Sequence, residues 1–364
     1  MSSIWNNRIS VSIFGEASGP AIGVTIDNLP SGEYIDSEEL AKFMARRYPA
    51  VGGYPADPHE NIVPHIMSGV YNDRTTGTPL CAFIQSIPTD EPENDNLDKL
   101  ARPGHADYTG AVRYRGFNDV RSSGHFSDKL TAPLCFAGAI CGQILERRGI
   151  YAGAHILQLH NIKDNPYDPV NITRDGVKSV RIKDFPVIND RKGWMMQEDI
   201  EKAKTAGESL GGVIECAAVN VPAGIGSPLF DGLQNTIAQL IFGIPGVTGL
   251  EFGAGFMAAR MLGSQNNDDF VVDEHGHVVT RTNNHGGILG GISSGMPVTV
   301  RAAFRPSPFV AKSQNAVDMK NMTEESFSDV SGHVPCTVSA AVPCVEAAVN
   351  IALLSHMIDY PNFC

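Results

Sequence analysis

Hydrophobic and polar positions alternate over Ile9–Phe14 and again over Ile22–Ile26, with the glycine-rich Gly15–Gly19 between them and Pro30–Gly32 after them. Period-two alternation bounded by glycine and proline predicts the two strands of an opening hairpin. The pattern then lengthens to a helical period. Leu40, Phe43 and Met44 share one face of a segment that opens at Asp36, has Glu39 three residues on, and runs through Arg47 before Pro49. That spacing is a capping box. Arg46 and Arg47 fall in the last turn, where a cation complements the helix dipole and solvated end charges are the ordinary arrangement. A second hairpin is expected from Ile66–Tyr71 and Leu80–Gln85, with Asp73 and Gly77 in the turn.

The most apolar stretch, Leu130–Leu145, is broken by Pro133, Gly138 and Gly142 and is too short to span a bilayer. It reads as a buried helix, opened by Thr131 with Pro133 in its first turn and running to Arg148. Further on, Val213–Val221 and Val298–Phe304 read as strands, Gly232–Phe242 as a helix ended by Gly243 and Pro245, and Val345–Met357 as a C-terminal helix. Phe270–Val272 and Val278–Arg281 flank Asp273-Glu274-His275-Gly276-His277, which reads as a polar hairpin turn in preference to a metal site. Hairpins alternate with single long helices, without a strict strand–helix rhythm. The fold class is therefore α/β of the α+β type, sheets packed on central helices, in one domain over residues 1–364.

Composition narrows the functional classes. A chain of 364 residues that is 42% hydrophobic can bury a large core. Its formal net charge of −12 argues against general nucleic-acid binding and requires any phosphate site to concentrate its few arginines locally. The N-terminal MSSIWNNRIS lacks a basic or apolar leader, so no secretory signal is expected, and the default location is cytoplasmic with no membrane partner. Seven scattered cysteines, Cys81, Cys135, Cys141, Cys216, Cys336, Cys344 and Cys364, are expected as reduced thiols, not disulfides or metal ligands.

Candidate chemistry lies in the loops. Gly15–Gly19, Ser209–Gly212 and Asn283–Gly291 let the backbone approach a flat or phosphorylated ligand, although no P-loop or G-x-G-x-x-G is present. His105 sits in the polar Arg102–Tyr108 stretch, where an imidazole of near-neutral pKa suits general acid/base work. Arg121–Lys129 immediately precedes a helix, and hydroxyls and amides at a helix N-terminus suit anions.

These segments, in this order, resemble the chorismate synthase family. FGEASGPAIGVTIDNLPSG (Phe14–Gly32), TTGTP (Thr75–Pro79), RPGHADYT (Arg102–Thr109) and GESLGGVIEC (Gly207–Cys216) are similar to its blocks. So are IPGVTGLEFGAGF (Ile244–Phe256), NNHGGILGGISSG (Asn283–Gly295) and PCTVSAAVPCVEA (Pro335–Ala347). The resemblance implies a β-α-β sandwich, a homotetramer, reduced FMN as cofactor with NADPH as a possible reductant, and a small-molecule substrate. The implied reaction is trans-1,4 elimination of phosphate from 5-enolpyruvylshikimate 3-phosphate to give chorismate. It further implies that His105 protonates the departing phosphate and that Ser127 belongs to the catalytic set. His125, Phe126, Ser127, Gly246 and Gly290 fall at flavin-contacting positions. Arg305, Pro306 and Ser307 match the grip on the flavin phosphate, and Arg47 and Lys129 the substrate and NADPH pocket.

The chain also departs from the family blocks. Ser18 stands where the family has its first catalytic histidine, preceded by Ala17, and a seryl hydroxyl does not titrate near neutrality. Gly332-His333-Val334 replaces Arg-His-Asp, Ala340 replaces an arginine, Gly53 aligns with a second pocket arginine, and Lys129 is not bidentate as arginine would be. Two readings follow: a working but divergent enzyme, with His285 or His333 standing in for the missing histidine, or a repurposed paralogue that keeps the fold.

Overall fold

A computed structural model describes residues 3–49, 63–85, 99–328 and 332–360. The first alternating segments become β2 (Ser10–Phe14) and β3 (Ala21–Asp27), preceded by β1 (Ile4–Asn6). With β4 (His65–Ser68) and β7 (Leu80–Gln85) they form an antiparallel sheet in the order β1-β2-β3-β7-β4. Between β4 and β7, β5 (Val70–Tyr71) and β6 (Arg74–Thr75) make a tight ribbon whose turn is Asn72-Asp73, both at positive φ. β8 (Leu100–Ala101) pairs later with β18 (Gln314–Asp318), which also pairs with β19 (Thr323–Phe327).

The second large sheet is built from β9 (Tyr151–Leu159), β10 (Ile162–Lys163), β11 (Gly212–Val219), β12 (Val247–Phe252) and β17 (Val298–Phe304), in the antiparallel order β10-β9-β11-β17-β12. Two short ribbons project from it, β13 (Phe270–Val272) with β14 (Val278–Thr280), and β15 (Ile288–Leu289) with β16 (Ile292–Ser293). In the first ribbon the Asp273 carboxylate accepts from the backbone N–H of His275 and His277, so the His-x-His run is a hairpin turn as expected.

The helices are α1 (Ser37–Ala45), α2 (Asp107–Tyr114), α3 (Thr131–Arg147), α4 (Arg174–Arg181), α5 (Asp190–Thr205), α6 (Leu233–Phe242), the single turn α7 (Gly263–Asn266) and α8 (Val338–Met357). Two long helices, α3 and α8, lie between the sheets, and the other helices surround them. α3 packs on β3, α8 packs on β9 and β11, and the two helices pack against each other. Gly138 and Gly142 of α3 permit that close approach, since a Cβ at Gly138 would lie 2.2 Å from Ala347 Cβ. The outcome is the expected sandwich of sheets on central helices, with the core on both faces of α3 and α8.

Three sequence expectations change. The capping box at α1 is half made: the Asp36 carboxylate accepts from the N–H of Glu38 and Glu39, but Asp36's own N–H goes to Gln143 Oε1 of α3 at 2.9 Å. Gln143 Nε2 returns a bond to Asp36 O, so a tertiary contact takes the place of Glu39. Arg46 is no solvated end charge, because it forms an ion pair with Glu346 of α8. Finally, α8 begins at Val338 rather than Val345 and contains Pro343. An interior proline loses a helical hydrogen bond, and burial of all twenty residues outweighs that loss. α8 is long and apolar enough to cross a bilayer by length and composition, and its complete burial within the fold accounts for both. Cys135, Cys141, Cys216, Cys336 and Cys344 are buried free thiols and Cys81 is a half-buried one, while Gly53 and Cys364 lie outside the described residues.

Candidate active site

His105 is held by its own loop. Arg102 donates through Nε and Nη2 to the two oxygens of Asp107 (2.8 and 2.9 Å), and both side chains are almost enclosed. Asp107 also accepts from Arg102 N–H, and His105 N–H donates to Arg102 O. The buried pair thus staples the two ends of the Arg102–Asp107 loop and leaves the imidazole on its outside. The ring meets Phe309 edge to face at 4.6 Å, in a small cleft with Pro308 and Phe327.

Arg305, Pro306 and Ser307 come to the same place. Arg305 Nη2 donates to Gly104 O at 2.8 Å, and Arg305 N–H donates to Gly246 O at 2.9 Å. Ser307 is buried: its carbonyl accepts from Ser209 Oγ and its hydroxyl from Phe309 N–H. Three segments far apart in sequence, around His105, Gly246 and Arg305, therefore share one corner at the end of β17. His333 borders it, with Nε2–H donated to Glu208 O at 2.9 Å and Val334 N–H to Phe309 O.

The second group gathers at the N-terminus of α3. Ser127 Oγ accepts from Lys129 N–H, capping the turn that leads into α3. Arg47, only 1% exposed, reaches over from the end of α1 to donate to Thr131 Oγ1 and Asp128 O, each at 2.5 Å. Ser18 Oγ donates to Ser122 Oγ at 3.0 Å, and Ala17 N–H donates to Gly124 O. His125 Nδ1 donates to Gly15 O at 2.7 Å, and its Nε2 pairs with Ser3 Oγ. Phe126 remains 40% exposed and lies against Gly110 of α2, where a Cβ would come within 2.9 Å of its ring. α2 begins two residues after His105, so this contact joins the two groups.

Gly290 is placed differently. It turns the β15–β16 ribbon, and the contacts of that ribbon run to Gly226 and to the start of α6. Space beyond Gly290 is open, since a Cβ there would meet nothing within 4 Å.

His285 has a structural task. Its Nδ1 accepts from Gly287 N–H at 2.9 Å, its own N–H donates to Asp268, and the ring is nearly enclosed. Burial lowers its pKa against the opposing effect of Asp268, so the ring is held neutral. Enclosed and bonded in this way, it serves the loop that carries it. The contacts that sequence reading missed are Ser122 against Ser18 and Gly104 against Arg305, and both depend on distant segments meeting.

A cavity of about 660 Å³ lies elsewhere, between α1, α3, α8 and the loop after α4. Arg46 and Arg181 line it, but both are paired with Glu346, and none of the candidate catalytic or cofactor-binding residues lines it. The candidate residues gather instead at the corner around His105 and Arg305. There an imidazole, an exposed guanidinium, backbone amides and hydroxyls can hold an oxyanion and pass it a proton.

The family model described as Chorismate synthase matches residues 9–358. Chorismate synthase from Thermococcus kodakarensis is 38% identical over 351 residues, covering 96% of each chain. The enzyme of the same name from Lancefieldella parvula is 37% identical over 375 residues, covering 100% of this chain and 98% of its own. A crystal structure of chorismate synthase superimposes with a TM-score of 0.76 at 25% identity, covering 97% of this chain and 93% of the other. The chain belongs to the chorismate synthase family.

Proposed function

We propose that this chain is a working chorismate synthase, a lyase that eliminates phosphate from 5-enolpyruvylshikimate 3-phosphate in the shikimate pathway. The observation that carries the reading is the meeting of His105 with Arg305 through Gly104 O, beside Gly246. A proton donor and a fixed cation at one corner are what departure of a phosphate beside a second, cofactor phosphate requires.

In the reaction, the C–O bond to phosphate and a C–H bond at C6 break, and the electron pair released becomes the new double bond. His105 protonates the leaving phosphate, its loop fixed by the Arg102–Asp107 pair. Reduced FMN, when bound, supplies the redox-active electronics for C–H cleavage. The residues present fit that cofactor: Arg305 carries an exposed guanidinium for its phosphate, Phe126 a partly exposed ring, and Gly246 bare backbone. Lys129 supplies positive charge for the substrate carboxylates, whereas Arg47, buried on Thr131 and Asp128, holds the start of α3 and is not the substrate contact that its position in the family blocks implied; NADPH is the candidate reductant for the flavin. Phe256, Met257, Leu262, Phe270 and Val272 are apolar and exposed in a single chain, which favours a homotetramer that covers them. A cytoplasmic location follows from the biosynthetic role.

Anaerobic incubation of the purified protein with reduced FMN and 5-enolpyruvylshikimate 3-phosphate tests the proposal. Chorismate should appear at an enzyme-like rate; tight flavin binding without product would overturn it.

A further inference from the structure

Building on the chorismate synthase reading, we infer that Ser122 is a specificity-determining residue of that site: its hydroxyl donates to an oxyanion of the substrate, while Ser18 donates into it from behind. Ser18 Oγ–H points at Ser122 Oγ at 3.0 Å. A hydroxyl that accepts in this way keeps its own proton for a third group, and the accepted bond strengthens the one it donates. Both serines are exposed, so the third group arrives from the open side.

The backbone holds Ser122 at some cost. Ser122 (φ 48, ψ 36) and Ser123 (φ 66, ψ 7) are consecutive left-handed residues, and Gly124 follows at φ 53, ψ −124. At Gly124 a Cβ would lie 2.0 Å from Asp119 O, so only glycine fits. Backbone strain of this kind persists where surrounding contacts over-determine it. Here Ala17 N–H bonds Gly124 O, Arg121 grips Asp119 through two nitrogens, and His125 ties Gly15 O to Ser3 Oγ. Both ring nitrogens of His125 are spent within the chain, so it serves as a positioning residue that presses the Ala17-Ser18 turn onto Ser122.

Ala17 and Ser18 occupy the positions where the family carries serine and histidine. The hydroxyl pair thus provides neutral hydrogen-bond donation at the place of a titrating ring. Because hydroxyls do not ionise near neutrality, the contact binds the anion and does not transfer the proton.

The test is the dissociation constant of 5-enolpyruvylshikimate 3-phosphate, measured by calorimetry on the FMN-loaded protein and, in parallel, kcat/KM. Ser122→Ala should weaken both about 10- to 100-fold with the melting temperature unchanged, the scale of one hydrogen bond to a charged group. Ser18→Ala should give a smaller loss, and the double variant should be no worse than Ser122→Ala. His125→Ala should reproduce the loss, and His125→Asn, which keeps an amide donor for Gly15 O, should restore most of it. Inhibition by shikimate 3-phosphate and by shikimate identifies the oxyanion: loss of the first alone assigns phosphate, loss of both assigns the ring carboxylate. Substrate affinity of Ser122→Ala within twofold of the parent overturns the inference, as does simple additivity of the two serine losses. The binding readout stands whether or not the parent protein turns over, so failure of the enzymatic reading remains separately visible.

Discussion

Arg46, the C-cap of α1, and Glu346 on α8 form a two-point ion pair, with nitrogen–oxygen distances of 3.1 and 2.9 Å, and the carboxylate has no exposed surface. Arg181 Nε meets Glu346 Oε1 at 2.9 Å, so one buried anion ties α1, α4 and α8 together. Removing it takes from Arg46 its carboxylate partner and from Arg181 one of two, the other being Glu146. Glu346→Ala should cost about 3–5 kcal/mol, measured by urea unfolding; a loss below about 1 kcal/mol would contradict this account of the pair. Burial by itself would raise the Glu346 pKa, but Arg181 and Arg46 outweigh it and hold the carboxyl below its ordinary 4.5. A depressed folded pKa contributes stability that is fully present above the unfolded value and is lost as pH falls through the folded one. The parent protein should therefore lose this contribution only below pH 4.5, and Glu346→Gln should flatten that acid limb.

His105→Gln should lower kcat by about 10²–10⁴ while leaving KM close to the parent value, because proton donation to a leaving group acts in the transition state. Steady-state kinetics with a thermal melt as control checks this. A change confined to KM would make His105 a binding group instead.

Gly124→Ala should destabilise the protein by about 1–3 kcal/mol, since the new Cβ must displace Asp119 O from 2.0 Å. It should also weaken flavin binding, because Phe126 and Ser127 follow directly. Unaltered melting and flavin affinity would show that the loop can relax.

Arg305→Ala should weaken FMN binding about 10- to 100-fold, the scale of a charge-assisted bond to phosphate, and Arg305→Lys should recover much of it. Flavin fluorescence titration reports the dissociation constant. If Arg305 serves only Gly104 O, the melting temperature will fall and the flavin affinity will not.

Much of the fold was legible because its signals are local. Asp36 caps α1, and Thr131 with Pro133 marks the start of α3. β9 escaped because its residues are buried along nearly its whole length, and YAGAHILQL has no alternation. α5 escaped although Asn189 caps it, since its apolar positions Met196, Ile200 and Ala203 are sparse. The early start of α8 was hidden by Pro343, whose local rule yields to burial. At the site, family blocks pointed to His105 and Arg305, but the Ser18–Ser122 bond spans 104 positions and rests on left-handed serines that no local pattern announces.

The central claim, that a site with Ser18 in place of the family's first histidine and Val334 in place of its aspartate still eliminates phosphate, is tested most directly by single-turnover chorismate formation under strictly anaerobic conditions with reduced FMN. The account predicts stoichiometric chorismate and phosphate from 5-enolpyruvylshikimate 3-phosphate, with the rate falling about 10²–10⁴ in His105→Gln. Flavin and substrate both bound, with neither product released, would contradict it.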